Sequence, residues 1–299
     1  MLNNLISSVI AFVLMFVLAS SAPPINQLTN NQVTILFTGD IMLGRSVMGA
    51  SLDNNDNLYP FRKTADFLKN VDITFVNLEN PIVTNCPRHI GGFKFCVSPE
   101  IAQGLRYAGI DIVSLANNHT SNFGKEGFEE TKKYLTEDNI KYVGDGNLQI
   151  IEKNLPSQAG NIKFGFLGFN YTFTKENLTD DLKLIKESDS KVDILIVSNH
   201  WGDEYKANAN SLQTTAAHRM IENGADVIIG HHPHWVQNNE MIGSVPVYYS
   251  LGNFIFDQMW SEETKKGLVV KMTFENEKLV KTEEFKTYIP KIGQPIFLE

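Results

Sequence analysis

Residues 224–237 read GADVIIGHHPHWVQ, and this stretch gives the clearest indication of the fold. Residues 227–229 form a short apolar run that ends at a glycine, as is typical of a buried strand. Three histidines, His231, His232 and His234, follow the run directly. In an α/β sheet, ligands bind beyond the carboxyl ends of the strands. The stretch therefore predicts a sheet strand that ends at a binding site.

The proline between two of these histidines restricts the backbone. Because Pro233 disfavours the helical conformation at the residue before it, we expect His232 to be extended. Side chains two residues apart on an extended segment point the same way. The sequence therefore predicts that His232 and His234 face one metal cluster.

Polar side chains follow five further apolar runs of the chain. The runs are VTILFTG, ITFVNL, IDIVSLAN, ILIVSN and VPVYYSLG, and they end at Asp40, at Glu79, at Asn118 with His119, at His200 and at Asn253. One residue of this kind at a strand end carries little information. Six strand ends with ligand-type side chains, five histidines among them, predict a shared metal site at one sheet edge.

The rest of the chain alternates strand and helix patterns. The predicted strands are 33–37, 73–76, 110–115, 162–166, 194–197, 227–229 and 245–249, and the predicted helices are 99–107, 124–135, 180–187 and 212–222. Residues 267–274 and 278–285 read as an antiparallel hairpin around an acidic turn. This order predicts an α/β architecture that is largely one domain.

Composition excludes several classes of protein. Of the 299 residues, 42% are hydrophobic and 20% are charged, which suffices for a packed core and excludes a disordered chain. The chain has 26 Lys and Arg against 34 Asp and Glu, a net charge of −8. Without a cationic face it is not expected to bind nucleic acid.

The N-terminus predicts export. Residues 5–19, LISSVIAFVLMFVLA, form an apolar stretch of about 15 residues, shorter than the roughly 20 that span a membrane. Small residues follow at 19–22, as at a signal-peptide cleavage site. Residues 1–22 therefore read as a cleaved signal peptide or as a retained membrane anchor. Either way we expect a periplasmic or extracellular protein that meets the membrane only through this segment.

Two cysteines, Cys86 and Cys96, are ten positions apart. In an exported protein they would lie in an oxidising compartment, where a disulfide persists. Closing so short a loop stabilises a fold by roughly 3 kcal/mol or less. Two free thiols remain the alternative.

Six blocks of sequence indicate a family. They are TGDIMLGR (38–45), NLENPI (77–82), LANNHTSNFG (115–124), HWGDEY (200–205), GADVIIGHHPHWVQ (224–237) and SLGNFIFD (250–257). In this order they resemble the bacterial capsule-synthesis CapA family, also called the poly-γ-glutamate synthesis family, which is similar to the calcineurin-like metallophosphoesterases. The resemblance implies a four-layer α/β/β/α sandwich over residues 33–257. Residues 258–299 would complete it with a C-terminal hairpin.

The resemblance also implies a set of metal ligands. These are Asp40, Glu79, Asn118, His200, His232 and His234, and His119 would be the catalytic acid beside them. Imidazole and carboxylate ligands suit Mn, Fe or Zn, so we expect one or two divalent ions. Met42 stands where the phosphoesterase pattern has a histidine partner for its first aspartate.

The substrate-binding candidates surround these ligands. They are Arg45, His231, Trp201, Glu204, Tyr205 and Asn253. For Trp201 and Tyr205 the alternative is that they pack beneath the site.

Two functions follow from the resemblance. The first is an exported metal-dependent hydrolase that acts on a capsule polymer such as poly-γ-glutamate, or on a phosphoester. The second is a non-catalytic accessory subunit of a membrane complex that synthesises or exports poly-γ-glutamate.

Overall fold

The computed structural model describes residues 31–88, 92–155, 160–172 and 178–298. Strands and helices alternate over most of these ranges, as the apolar runs predict. The helices are α1 (Arg45–Asp53), α2 (Ala65–Leu68), α3 (Pro99–Tyr107), α4 (Gly124–Glu137), α5 (Leu178–Asp189) and α6 (Ser211–Glu222).

The first sheet has eight strands. They are β1 (Gln32–Ile41), β2 (Ile73–Leu78), β3 (Ile112–Ser114), β4 (Lys141–Val143), β11 (Asn253–Ile255), β12 (Lys266–Glu275), β13 (Lys278–Lys291) and β14 (Gln294–Phe297). Their order is β14-β13-β12-β1-β2-β3-β4, and β11 pairs with the end of β1. Strands β1 to β4 are parallel, whereas β12 and β13 form the predicted antiparallel hairpin next to β1.

The second sheet has six strands. They are β5 (Gln149–Leu155), β6 (Gly160–Asn170), β7 (Ile194–His200), β8 (Val227–His231), β9 (Asn239–Ile242) and β10 (Val245–Tyr248). Their order is β5-β6-β7-β8-β10-β9, with β6, β7, β8 and β10 parallel.

An apolar layer holds the two sheets face to face. Phe75 of β2 stacks on Phe166 of β6 with ring centroids 5.8 Å apart, and Phe164 meets Phe274 edge-on at 5.4 Å. All four rings are buried, and full burial of one such side chain contributes about 1.5–3 kcal/mol. Residues of α1 to α4 pack on the outer face of the first sheet, and residues of α5 and α6 pack on the second. The predicted α/β/β/α sandwich is therefore confirmed.

Four aspartates fix the register of the parallel strands. Each stands one residue before a strand and accepts a hydrogen bond from a backbone N–H of the neighbouring strand. The pairs are Asp72 with Thr34 (2.8 Å), Asp111 with Thr74 (2.8 Å), Asp193 with Lys163 (2.7 Å) and Asp226 with Leu195 (2.8 Å). Because the amino ends are aligned in this way, the carboxyl ends of the strands meet at one edge.

Cys86 and Cys96 form a disulfide with their Cα atoms 5.8 Å apart, which decides between the two alternatives left by the sequence. Within the ranges described, none of the helices combines the length and the hydrophobicity needed to cross a bilayer. The N-terminal signal or anchor, residues 1–22, lies outside the described residues.

Candidate metal centre

Ligand-type side chains from both sheets meet at the carboxyl ends of the strands. They form two groups, and within each group the candidate ligand atoms lie within 4.8 Å of one another. The first ligand group is Asp40, Glu79 and His200, and the second ligand group is Glu204, His232 and His234. The structure thus brings five of the six predicted ligands into two clusters and adds Glu204.

The first ligand group is held by both sheets. Asp40 lies near the end of β1, Glu79 follows β2, and His200 ends β7 on the opposite sheet. Asn77 of β2 joins the two carboxylates, because its Nδ2 donates to Asp40 Oδ1 at 2.9 Å and to Glu79 Oε1 at 3.1 Å. The geometry of this group therefore depends on the packing of one sheet on the other.

The second ligand group is carried by loops after β7 and β8. The expectation that His232 is extended is wrong, since its φ is 97° and that of His234 is 58°. The imidazoles nevertheless converge, with ring centroids 6.0 Å apart. The proline excludes the helical region at His232, but the turn that brings both rings towards the sheet edge needs left-handed backbone, which the sequence pattern does not reveal.

Left-handed backbone is concentrated around this centre. Arg45 and Tyr205 also have positive φ, 46° and 61°. Each non-glycine residue in this region costs of order 1–3 kcal/mol and persists only where its surroundings enforce it. Such strain is characteristic of functional sites.

Three more predicted residues contact the ligand groups. Asn118 Oδ1 lies 2.9 Å from His200 Nε2. His231 Nδ1 lies 3.1 Å from Asp40 Oδ1, and His234 Nδ1 lies 3.0 Å from Asn253 Oδ1. His231 and Asn253 are both buried beside candidate ligands, and their predicted contact with substrate stays a prediction.

The aromatic candidates occupy different positions. Trp201 is buried in the layer between the second sheet and its helices, and its Nε1 donates to the Tyr249 carbonyl at 2.9 Å, so it packs beneath the site. Tyr205 is half-buried with its ring 6.2 Å from that of His234. It also meets the exposed Trp260 edge-on at 4.7 Å, which places Tyr205 at the rim.

Arg45 is a buried residue held by two polar contacts. Its guanidinium forms an ion pair with Asp257, and its Nη1 donates to the Gly92 carbonyl at 2.8 Å. Its neighbour in the sequence block, Met42, is fully buried among apolar side chains beneath the first sheet. Met42 therefore adds nothing to either ligand group.

Burial and mutual contact shift the pKa values of the two buried carboxyls in opposite directions. Burial alone would raise the pKa of Asp40, but hydrogen bonds from His231 and His234 hold it well below its usual range. Burial and the negative charge of Asp40 raise the pKa of Glu79 well above its usual range. Burial lowers the pKa of His200 well below the usual value and that of His232 to about 4.

Several buried polar atoms in the centre have no hydrogen-bond partner. They are Glu79 Oε2, His231 Nε2 and His232 Nδ1. An unpartnered buried polar atom typically costs about 1–3 kcal/mol, more if it is charged, and divalent cations would satisfy carboxylate oxygens and imidazole nitrogens here. The donor set therefore fits one or two metal ions.

His119 stands beside the two ligand groups. Its Nδ1 lies 3.2 Å from Asn122 Oδ1, which can only accept, so Nδ1 carries the proton of the neutral ring. Its Nε2 lies 3.3 Å from Asn118 Nδ2. Burial lowers the pKa of His119 to about 4.

Three residues that contact the candidate site were not among the site residues predicted from the sequence. Asn77 carried a usable signal, because it precedes Glu79 by two residues in the same strand run and alternate residues share a face. Asn122 and Asp257 lie in two of the six sequence blocks, but only the structure reveals their contacts with His119 and Arg45.

Comparison with known proteins assigns the family. Residues 34–258 match the family model described as bacterial capsule synthesis protein PGA_cap. The chain belongs to the PGA_cap family. The resemblance carried by the six sequence blocks is therefore confirmed.

Two relatives of the PGA_cap chain come from Bacillus. The capsule biosynthesis protein CapA of Bacillus anthracis is 31% identical over 82% of this chain, which spans 65% of that protein's length. The PGA biosynthesis protein CapA of Bacillus subtilis is 29% identical over 87% of this chain and 74% of its own length.

More distant matches agree with the fold. A Mycobacterium tuberculosis protein named "Probable polyglutamine synthesis accessory protein" is 23% identical over 74% of this chain and 65% of its own length. The solved structure of a hypothetical protein from Thermus thermophilus covers 86% of this chain and is itself covered completely, with a TM-score of 0.55 and 16% identity. That match supports the fold alone.

Proposed function

We propose that this chain serves bacterial capsule or poly-γ-glutamate synthesis through a metal-dependent hydrolytic site. The observation that carries the proposal is the pair of adjacent ligand groups, in which buried carboxylates and imidazoles converge and leave polar atoms without partners. The names of the Bacillus relatives supply the biological context, capsule and PGA biosynthesis.

Each ligand group would hold one metal ion. Asp40, Glu79 and His200, with the Asn118 amide oxygen, would hold one ion, and Glu204, His232 and His234 would hold the other. Nitrogen and carboxylate ligands in this proportion suit Mn, Fe or Zn. A pair of such ions supplies a nucleophile from water at neutral pH and stabilises the oxygens of an ester under attack.

The chain's own residues supply the remaining chemistry. His119 Nε2 is the ring atom that would exchange a proton with the leaving group, an oxygen in a phosphoester or a nitrogen in a γ-glutamyl amide, since Nδ1 is directed to Asn122. An anionic substrate oxygen beside the ring would raise the low pKa of His119, because a nearby negative charge favours the imidazolium. Arg45, largely buried and paired with Asp257, would supply a positive charge close to the centre.

The substrate class follows from these charges. A poly-γ-glutamate chain or a phosphoester of a capsule polymer carries anions that both metal ions and Arg45 would attract. We propose an exported protein, anchored or released according to the fate of residues 1–22, that meets such a polymer outside the cytoplasmic membrane.

A second candidate function is a non-catalytic accessory subunit of a membrane poly-γ-glutamate synthesis or export complex. Met42, which stands where the phosphoesterase pattern has a metal-side histidine, favours it because the position is committed to the apolar core. The name of the Mycobacterium tuberculosis relative points the same way. In this case the metal centre would hold the polymer without cleaving it.

Measurement of the metal content tests the proposed centre, on which both candidate functions depend. The full chain is purified in detergent without a histidine tag or chelator, beside a His232→Ala/His234→Ala variant, and both are assayed for Mn, Fe and Zn. We expect one or two equivalents in the wild type and fewer in the variant. No metal after loading with each ion would overturn the proposed centre.

Hydrolysis is then measured on poly-γ-glutamate and on bis(p-nitrophenyl) phosphate with the metal-loaded chain. Cleavage of either compound that is lost in the histidine variant supports the hydrolase. A loaded centre that binds poly-γ-glutamate and cleaves neither compound supports the accessory subunit.

A further inference from the structure

The disulfide-closed loop lies against the candidate catalytic histidine. This loop, residues 86–96 with 86–88 and 92–96 described, is called here the Cys loop. Its Phe95 ring stacks on the His119 imidazole, with centroids 3.8 Å apart and planes inclined by 24°. The contact covers one face of the ring to which the proposed function gives the proton transfer.

The backbone of the Cys loop holds the same imidazole by its edges. Phe95 N donates to Asn122 Oδ1 at 2.6 Å, and that oxygen also lies 3.2 Å from His119 Nδ1. The backbone of Phe93 also lies near the His119 ring, where it favours the protonated imidazole and so opposes the lowering of the His119 pKa by burial. A shift of this short segment would therefore disturb the stacking and the hydrogen bonds together.

Arg45 contacts both a side chain and the backbone of the Cys loop. Its Cζ lies 4.3 Å from the centroid of the Phe95 ring, and its Nη1 donates to the Gly92 carbonyl at 2.8 Å. Because Asp257 binds the same guanidinium, Arg45 connects the Cys loop to the segment after β11.

The disulfide ties the start of the Cys loop to a rigid point. Cys96 is fully buried, and its neighbour Val97 exchanges backbone hydrogen bonds with Pro81 (3.0 Å) and Val83 (3.0 Å). A Cβ on Gly44 would lie 2.4 Å from the Cys96 carbonyl oxygen, so the backbone there is closely packed. Cys86 N donates to the Val83 carbonyl at 3.3 Å, and the Cys86–Cys96 bond adds a covalent link between the two ends of the loop.

We infer that Phe95 is a positioning residue for His119, and that the Cys86–Cys96 disulfide keeps Phe95 in place. Reduction of the bond would therefore release the imidazole from its fixed orientation. The inference deepens the proposed function, because orientation of His119 matters for hydrolysis only if that residue transfers the proton.

The orientation can be measured without any activity. An imidazole stacked on a phenyl ring has its C–H proton resonances shifted upfield by the ring current. The full chain, in detergent and with isotope-labelled histidine, is recorded by NMR, and the His119 signal is identified among those of seven histidines by its loss in His119→Asn. We expect the oxidised wild type to show the upfield signal.

Matched variants separate stacking from general loosening. Phe95→Ala should return the His119 signal to the ordinary histidine range, and Phe95→Tyr should restore the upfield position. Phe93→Ala removes a ring that is 85% exposed and keeps the backbone carbonyl, so it should leave the signal upfield. An unchanged signal in Phe95→Ala would overturn the role of Phe95.

The disulfide is tested by reduction of the wild type and by Cys86→Ser/Cys96→Ser. We expect both to move or split the His119 signal, and a signal that stays upfield in both would overturn the role of the bond. With bis(p-nitrophenyl) phosphate, Phe95→Ala should lower kcat by at least tenfold with little change in KM, and Phe95→Tyr should recover it. A wild type that hydrolyses nothing refutes the proposed function, and the NMR result still decides the positioning.

Discussion

Glu204 is the one exposed member of the ligand groups. Its carboxylate meets His232 and His234, whereas Met42, at the position that would bring a histidine in the phosphoesterase pattern, faces the core. Glu204 therefore supplies the negative charge of the second ligand group.

Glu204→Gln should weaken the second metal position. Loss of a partner that only orients a ligand costs roughly 10–100-fold in metal affinity, so loss of a ligand should cost at least about tenfold. Asp203→Asn is the matched control, since Asp203 is next in sequence and accepts from Asn210 Nδ2 at 2.9 Å. Isothermal titration calorimetry measures the Mn²⁺ affinity of each variant. Equal affinities in the two variants would remove Glu204 from the ligand set.

His119→Ala should separate binding from turnover. His119 belongs to neither ligand group, so the variant should retain its metal. Loss of a positioned proton donor should lower kcat by about 10²–10⁴-fold. Metal content and hydrolysis of bis(p-nitrophenyl) phosphate are measured on the same preparation, and wild-type turnover in the variant would refute the assigned role.

The four aspartates that bind the backbone of a neighbouring strand share a sequence pattern. Each follows an apolar residue and precedes isoleucine or valine. The pattern occurs as VDI, IDI, VDI and ADV at 71–73, 110–112, 192–194 and 225–227. Each aspartate aligns one parallel strand with the next, which the sequence alone could have indicated. The carboxylates act at the amino ends, and the ligands they align lie at the opposite ends of the same strands.

Asp226→Asn should change how stability depends on pH. Burial raises the pKa of Asp226 above its usual value. A carboxyl whose pKa is raised on folding contributes stability at low pH that is lost as pH rises through the folded pKa. Asn keeps the acceptor and cannot ionise, so its advantage over the wild type should grow as the pH rises from about 4 towards neutral.

Thermal unfolding of the wild type and of Asp226→Asn across this range measures the effect. Asp226→Ala is the control, because it leaves the Leu195 N–H without its acceptor and should destabilise the fold by about 1–3 kcal/mol at every pH. Parallel pH curves for the wild type and Asp226→Asn would contradict the prediction.

Elements with strong periodicity were predicted closely, and those without it were missed. Helix α3 has the predicted ends, and α4, α5 and α6 differ by one or two residues. Helix α1 was not predicted, because it has no acidic residue in its first turn and follows a glycine without a side-chain cap. Strand β9 was not predicted, because its residues, Asn239–Ile242, are almost all exposed and show no alternation of apolar and polar side chains.

The candidate metal centre takes its ligands from both halves of the sandwich, so a bound metal should stabilise the whole fold. An ion at 100 times its Kd adds about 2.7 kcal/mol to the folded state. For a chain of this size that raises Tm by several degrees. Scanning calorimetry with and without Mn²⁺ checks this, and the His232→Ala/His234→Ala variant should lose most of the shift. A Tm independent of metal in the wild type would exclude a centre that spans both sheets.

The location of the centre was predictable, whereas its internal contacts were not. The rule that ligands lie beyond the carboxyl ends of strands places Asp40, Glu79 and His200 at one edge. The bonds from His231 and His234 to Asp40 arise only when the second sheet packs on the first. A local pattern contains no information about which loop of one sheet faces which strand of the other.

The pairing of β1 with a strand near the end of the chain governs the order in which the protein can mature. β1 carries Asp40 and lies between β2 and β12, and β12 extends to Glu275. A ribosome must therefore extend the chain past β11, which pairs with β1 at Asp40, before Asp40 has both of its neighbouring strands. A shorter nascent chain cannot form the complete candidate centre, so we expect any ion to be taken up in the compartment where folding finishes.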